Sequence, residues 1–459
     1  MKVFKVICRT IVGIFRTIVG ALFVVSGLIK SNDAYGFMYK LQEYFEPGAM
    51  DMMFLDPYAL HLAVFVCVAE VLLGIALLVG AFPKLTITLT TVMMVFFTFL
   101  TWYTATCDPQ GTSVIVDAMG QEMEISNQCV LECGCFGNAI PLTPWQSFIK
   151  DIILLVLVLP IVIGAFCKIV KLNDTIESFF IYTGAIVMTF LFGYIMLDWN
   201  FPTLYLVILL LGAEAVKRRV KSSSKQVVMA LTVLLIASLF QYYTLAHLPV
   251  KDYRPYAEGE NINWNMLTAE EQGFKAAVYD YHFLFENNDT GEEVIVTDWS
   301  NQVDSAFQAT HTSTGNKKVL VNEADAGYFD QPRIMDLIME NSDGEDLTEQ
   351  VLANNGYTFI HISNDLTASG GVASAELNSL AINAIEAGHD FYCLSNEGYE
   401  SSEDFKHEFQ VPYEFLTCDQ TELKIIIRSN PGLVLIKGGE VVEKWAWRDI
   451  PTFEELELK

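Results

Sequence analysis

Four cysteines, Cys107, Cys129, Cys133 and Cys135, lie between two long apolar segments. A thiol pair can cycle between dithiol and disulfide, and Cys133 and Cys135 are separated by Gly134 alone. A bridge across one residue is strained and correspondingly easy to reduce. Gly134 and Gly137 let the chain turn tightly there. The same four thiols can instead form two structural bridges, with Cys107 and Cys129 as partners or resolving thiols. Four cysteines allow three full pairings, among which spacing does not choose. Zinc is the weakest reading, because ligand pairs are usually two to four residues apart and this loop contains no histidine. No metal is expected. A reactive thiolate also needs a nearby positive charge. No Lys or Arg lies between Cys107 and Trp145, and Glu132 adjoins Cys133.

A second candidate is Glu70, in the middle of an apolar run. A carboxylate there is costly, so it faces the bundle interior or a polar cavity. It could relay protons, or contact a headgroup such as a quinone. It could equally make a structural hydrogen bond to a Thr or Tyr on a neighbouring helix. Cys8, Cys67 and Cys167 lie in or beside apolar runs and read as small apolar fillers.

The elements that must position these residues are membrane spans. Of 459 residues, 52% are hydrophobic and 18% charged. Windows 6–29, 57–80, 85–106, 148–169, 176–197, 201–216 and 227–246 are apolar enough to cross a bilayer. The sixth is short and carries Glu214, so it reads as a tilted span or a re-entrant hairpin. Gly13, Gly20 and Gly27 share one face of the first span and permit close helix approach. Lys2, Lys5 and Arg9, then Lys84, Lys168, Lys171 and the cluster from Lys217 to Lys225 all fall at alternate ends. The positive-inside rule places those ends in the cytoplasm. Seven crossings then put the cysteine loop and the C-terminal half outside.

The net charge of -27 is concentrated in that half. Residues 1–250 carry 15 Lys and Arg against 16 Asp and Glu, and residues 251–459 carry 13 against 39. Such an acidic surface excludes nucleic acid as a partner.

The segment "RTIVGALFVVSGLIK" (residues 16–30), together with "CGCFGNAIPLTPWQSFIKD" (133–151), resembles the DoxX and MauE group of four-span membrane proteins. With "HLPVKDYRPYAEGENI" (247–262) and "LKIIIRSNPGLVLIKGGEVVEKW" (423–445), the chain is similar to a Bacteroidota group that adds further spans and a large C-terminal region. MauE is associated with disulfide formation in a periplasmic enzyme subunit, and DoxX with a thiosulfate–quinone oxidoreductase. The resemblance therefore implies quinone-linked thiol chemistry at Cys133 and Cys135.

Beyond the last span, residues 247–262 read as a Pro- and Gly-containing exit. Strand candidates follow at 293–297 and 318–322, with "ENNDTGEE" and "TSTGNKK" as loops. From residue 346 onward the periodicity predicts helix 347–354, strand 357–363, helix 373–387, strand 390–395, helix 402–408, strand 413–418 and helix 421–428. Strands 433–437 and 441–446 join through Gly438 and Gly439 as a hairpin, and a short helix at 452–456 closes the chain. This order resembles a thioredoxin-like domain, and "NPGLVLIKGGEVVEKW" resembles its cis-proline loop and terminal hairpin. The resemblance gives Pro431 the cis-proline position. The turn "SNDLTASGGVAS" (363–374) contains no cysteine where that family carries Cys-x-x-Cys. Cys393 and Cys418 are expected to be buried and inert. Asp365, Ser369, Arg428, Asn430 and Pro431 would line the remaining cleft, with Arg428 also suited to a helix C-terminus. Trp445, Trp447 and Phe453 read as core, with Trp447 also a candidate contact residue.

The expected fold is an all-α polytopic membrane bundle, a DoxX-like four-helix core plus about three further spans, with an external α/β thioredoxin-like domain. Expected domains are 1–171 (four-span bundle with cysteine loop 107–145), 172–250 (three more spans), 251–345 (linker and small β-rich adaptor) and 346–459 (thioredoxin-like). The leading functional expectation is an inner-membrane anchor, N-terminus cytoplasmic and C-terminal domain periplasmic, that binds an envelope protein and membrane lipid. The alternative is a quinone-linked thiol–disulfide oxidoreductase or its accessory subunit. A transporter is a third class, supported only by the isolated carboxylate Glu70.

Overall fold

The computed structural model describes every residue except 1, 109–110, 117–121, 131–135, 275–277, 288–292, 297–310, 323–331 and 459. The chain divides into two compact units, Met1–Tyr253 and Arg254–Lys459.

The first unit is helical: α1 Lys2–Asn32, α2 Ala34–Phe45, α3 Ala59–Val79, α4 Pro83–Thr106, α5 Pro144–Phe166, α6 Thr175–Met196, α7 Phe201–Arg219 and α8 Lys225–Ala246. Among the described residues six helices are long and apolar enough to cross a membrane. The one long helix outside that set is α7, whose charges collect at its C-terminal end: Glu214, Lys217, Arg218 and Arg219. It nevertheless runs antiparallel along all of α6. Its last turn donates from Lys217 Nζ to Ser178 Oγ (2.9 Å) at the start of α6, and its first residue follows α6 after four residues. The short sixth window is therefore a full-length helix rather than a hairpin. Sequence reading missed α2, a short helix whose Phe37, Leu41, Tyr44 and Phe45 share one buried face.

Alternating helices leave two distinct bundle ends. At one, Arg9 pairs with Asp174 (3.1 Å) and Glu177, and Phe82 N donates to Gln226 Oε1 (2.7 Å). At the other, Asn32 Nδ2 donates to Lys251 O (2.7 Å), Tyr253 OH donates to Leu197 O (3.0 Å), and Phe136, Ala139 and Ile140 pack against Ile29 and Leu197. The segment that follows Cys135 thus shares an end with the exit from α8.

Two features hold the bundle. The first is a close α1–α3 crossing. A Cβ at Gly20 would lie 3.0 Å from Gly74 O, and one at Gly27 would lie 2.9 Å from Cys67 O. A Cβ at Gly13 would meet nothing within 4 Å, so the expected stripe of three glycines works at two positions, with Gly74 as the reciprocal partner. The second is the α3 C-terminus, where a helix in lipid has no water to satisfy its last carbonyls. Ala76 O accepts from Gly80 N (2.9 Å) and Ala81 N (3.0 Å), with Gly80 at φ +78°. Arg16 Nε donates to Leu77 O (3.0 Å), Asn173 Nδ2 to Leu78 O (2.7 Å), and Asn173 N to Val79 O (3.0 Å). Arg16 Nη2 also donates to Asn173 Oδ1 (2.8 Å). The buried arginine of the first span is therefore a helix cap supplied from elsewhere in the chain.

The second unit contains a five-stranded sheet in the order β10-β9-β6-β7-β8. Its elements are α10 Thr348–Ala353, β6 Tyr357–Ser363, α11 Leu366–Ser369, α12 Ser374–Glu386, β7 Asp390–Ser395, α13 Tyr399–Phe409, β8 Glu414–Thr417, α14 Gln420–Ile426, β9 Gly432–Lys437 and β10 Glu440–Ala446, with a final 3₁₀ turn Phe453–Glu455. Strands β6, β7 and β8 are parallel, whereas β9 is antiparallel to β6 and β10 to β9. Alternation along β6 sends Phe359 and His361 to one face and Ile360 and Ile362 to the other. The first face packs on Leu377, Leu380, Ala381 and Ala384 of α12.

Residues 254–262 are not a free exit linker. Arg254 Nη1 donates to Ile425 O (2.8 Å), Tyr256 OH donates to Glu422 Oε2 (2.7 Å), and Lys444 Nζ donates to Tyr256 O (3.0 Å). Gly259 N and Glu260 O bond Val441 along the free edge of β10. A sheet edge offers unpaired backbone groups, and this strap satisfies part of them. Between the strap and α10, beginning after the short helix α9 (Ile262–Asn265), lies a separate three-stranded antiparallel sheet: β3 Val278–Asn287, β4 Glu293–Val296 and β5 His311–Asn322, in the order β4-β3-β5. The stretch "TSTGNKK", expected as a loop, lies inside β5. Pairing with β3, accommodated by a register shift between Leu284 and Phe285, overrides its local turn residues.

Candidate functional site

The first part of the loop after α4 is closed by a disulfide. Cys107 and Cys129 are bonded, with Cα atoms 5.7 Å apart. Between them is a hairpin unforeseen from sequence, β1 Thr112–Val116 paired with β2 Glu122–Ser126. Beyond β2, Gln128 N donates to Gly48 O (3.0 Å), tying the hairpin's end to the loop after α2. Closing a loop of 22 residues contributes about 3 kcal/mol in the chain-entropy picture. This pairing selects one of the open alternatives and rules out the bridges from Cys107 and Cys129 to the other two thiols. Cys133 and Cys135 lie outside the described residues. One feature at Phe136 was not legible in sequence. Lys150 Nζ, from α5, sits 5.0 Å from the centroid of the Phe136 ring and 3.2 Å from Asp151 Oδ1. Folding therefore brings a cation to the residue that follows Cys135. Asp151 is buried and accepts from Thr101 Oγ1 (3.0 Å).

Glu70 has a partner that sequence reasoning missed. Lys30 Nζ donates to Glu70 Oε1 (2.7 Å) and to Ser26 Oγ (2.8 Å). Both charged side chains are 2% exposed. The ammonium also lies 4.8 Å from the Phe97 ring centroid and 5.7 Å from that of Phe37. The clue was available, since Lys30 ends the first apolar run and a helical side chain leans back towards its own N-terminus.

In the second unit the cleft residues surround one turn. The Asn430–Pro431 peptide is cis, at the position the thioredoxin resemblance implied. Asn430 Oδ1 accepts from Asn364 N (3.0 Å) and Ser363 Oγ (3.2 Å), and its Nδ2 donates to Asp365 O (2.8 Å). Asp365 Oδ1 caps α11 through Ala368 N (2.7 Å). Ser369 is buried and its Oγ donates to Leu366 O (2.8 Å). Arg428 is buried and donates to Lys424 O at the end of α14, the helix-terminus role foreseen for it. Thus Asp365, Asn430 and Pro431 meet at the turn, while the side chains of Ser369 and Arg428 are engaged in local backbone contacts. Trp445 is core and Phe453 packs beside it, whereas Trp447 is half-buried with Arg448 stacked 4.1 Å from its ring centroid.

Cys393 and Cys418 are free and buried. Burial pushes the Cys393 thiol well above its ordinary range and, helped by Glu422 and Asp419, raises Cys418 to about 12. Neither can supply a thiolate near neutral pH. Beside Cys393, on the neighbouring strand, His361 is also buried, and burial lowers its pKa to about 3.

A family profile described as methylamine utilisation protein MauE matches residues 8–110. No curated protein matches the chain. Similar solved structures include an uncharacterized conserved protein from Geobacillus kaustophilus, at 16% identity and TM-score 0.20, covering 24% of this chain and 64% of that protein. The chain thus spans less than two thirds of that protein's length. Peroxiredoxin Q from Xanthomonas campestris is similar at 15% identity and TM-score 0.20, over 25% of this chain and 82% of its own. A thiol:disulfide interchange protein from Bacteroides sp. follows at 13% identity and TM-score 0.20, over 24% and 75% respectively. The fold assignment rests on the strand order and register above. The chain joins a MauE-like multi-span membrane domain to an α/β unit of thioredoxin-like fold.

Proposed function

We propose that this protein is a membrane-anchored envelope component whose thioredoxin-like unit docks a periplasmic or membrane partner without exchanging thiols itself. One observation carries the reading. The turn after β6 keeps its place beside the cis-proline loop but contains no cysteine, and the unit's two thiols are sealed in the core. The fold is retained while its chemistry is missing, which leaves recognition. Exposed Val372, within that turn, and Tyr399, at the start of α13, offer apolar contact. The positive-inside rule, applied to the alternate bundle ends, supports a cytoplasmic N-terminus and a periplasmic second unit in the inner membrane. Bound lipid around the spans and the DoxX-like Bacteroidota grouping belong to the same reading. A photo-crosslinker at Val372 or Tyr399, in native membranes, is expected to trap one stoichiometric envelope protein. If correctly inserted protein yields only self-adducts and lipid adducts at both positions, the docking role fails.

A second reading is favoured by Lys150. Quinone-linked thiol exchange at Cys133 and Cys135 needs a nearby cation, which the loop sequence lacks and α5 supplies at Phe136. Cys107 and Cys129, being bonded to each other, would then brace the loop.

A further inference from the structure

We propose that Lys30 and Glu70 form an intramembrane proton-exchange site, in which Glu70 takes up one proton at Oε2 while Lys30 keeps its charge. Replacing a buried ion pair by apolar residues is often neutral or stabilising, so stability alone is a weak reason for one inside a membrane bundle. The geometry around this pair is also not that of a closed salt bridge.

The two partners are held independently. Lys30 Nζ has Ser26 Oγ at 2.8 Å and the faces of Phe97 and Phe37 in addition to the carboxylate. Protonating Glu70 would therefore not strand a bare cation, since hydroxyl and ring faces remain to stabilise it. Glu70, by contrast, uses one oxygen only. Its Oε2 is buried and has no hydrogen-bond partner among the described residues. Among the described residues of the helical unit, Thr90 Oγ1, Thr189 Oγ1, Thr203 Oγ1, Tyr205 OH and Gln241 Oε1 share that condition, and Glu70 Oε2 is the one carried by a carboxylate. Tyr205 packs in the same core as Leu28, Val68 and Val71, the helical surroundings of the pair. Gln241 Nε2 reaches Ser31 O (3.5 Å), the residue after Lys30. Buried polar atoms are nearly always paired, so a buried carboxylate oxygen left open beside the ion pair points to a place for a proton.

Among the described residues, the ionisable groups in the clusters around this place are Lys30 from α1, Tyr44 from α2, Cys67 from α3, Tyr103 from α4 and Tyr205 from α7. From α2 comes Phe37 and from α4 Phe97, while α8 contributes Gln241 and Thr244 and α6 the apolar Ile181 and Ala185. Asp151 of α5 is engaged by Thr101, one turn further along α4, and by Lys150. The step is a simple balance in which carboxylate and proton give carboxylic acid, and no electron moves. It does not depend on the docking role.

The test is a pH titration of the full chain in lipid nanodiscs, followed by infrared difference spectroscopy with isotope-labelled glutamate. A protonated acid shielded from water absorbs at higher frequency than the exposed acids. We expect one such label-sensitive band, lost in Glu70→Gln. The band should persist in Lys30→Met, in which the carboxyl group remains. Folding of each variant is judged by helix content and by the intact Cys107–Cys129 bond. If wild type and Glu70→Gln give the same spectrum at every pH at which both are folded, the proposal is overturned. Should Glu70→Gln fail to fold, the labelled wild type decides alone, and absence of the high-frequency band overturns the site. Either failure leaves the crosslinking result at Val372 and Tyr399 untouched.

Discussion

Acidification from pH 6.5 towards 3 is expected to remove about 5 kcal/mol of stability from the α/β unit through His361 alone. The imidazole lies on the central strand β6 and is 2% exposed. Its Nδ1 shares a hydrogen bond with Tyr413 OH (3.1 Å), and Nε2 has no partner among the described residues. Burial disfavours the imidazolium, so the folded pKa drops to about 3 from an ordinary 6.5. Above pH 6.5 neither state binds the proton and stability does not depend on this group. Between 6.5 and 3 the unfolded chain binds one proton more than the folded one. Stability therefore falls as pH falls, by about 1.4 kcal/mol per unit. Hydrogen exchange at β6 and β7 amides, corrected for intrinsic rates, measures this in the full chain. His361→Leu is expected to lose the one-proton slope, although it also loses the Tyr413 contact. An identical slope in both proteins would mean that His361 is not the group responsible.

Gly74→Val is expected to cost about 3 kcal/mol, the upper end of overpacking penalties. A Cβ at residue 74 would lie 2.7 Å from Val24 Cγ2, 2.8 Å from Gly20 O and 2.9 Å from Val24 N. Two of those atoms are backbone, which cannot rotate away, so α1 and α3 must separate. The separation also pulls Lys30 away from Glu70, because the two residues sit on those same helices. Gly13→Val is the control, since its Cβ enters open space. Thermal unfolding in detergent should show a lowered midpoint for the first variant and none for the second. Equal midpoints for the two would show that the α1–α3 approach is not tight.

The periodic elements were the legible part. Strands 357–363 and 390–395 coincide with β6 and β7, and helix 373–387 is one residue longer at each end than α12. In each the apolar residues recur at a spacing that admits one secondary structure. The weakly periodic regions failed for the same reason. Helix α2 is interrupted by polar residues on its outer face, and β5 contains turn-forming residues that only the partner strand holds extended. At the sites, Glu70 and the four loop thiols were visible by type, because a buried carboxylate or a cluster of cysteines is conspicuous in an apolar chain. Their partners were not.

By itself, then, the sequence determined the apolar helices, the order of the thioredoxin-like strands, and the missing Cys-x-x-Cys. These depend on residues a few positions apart, where local geometry makes pattern and structure equivalent. Tertiary structure alone decided that Cys107 takes Cys129, that Lys30 answers Glu70 across 40 residues, and that Arg16 with Asn173, 157 residues apart, completes the end of α3. Those choices are made by desolvation. A charge or carbonyl taken out of water accepts whichever partner the packed helices bring within reach.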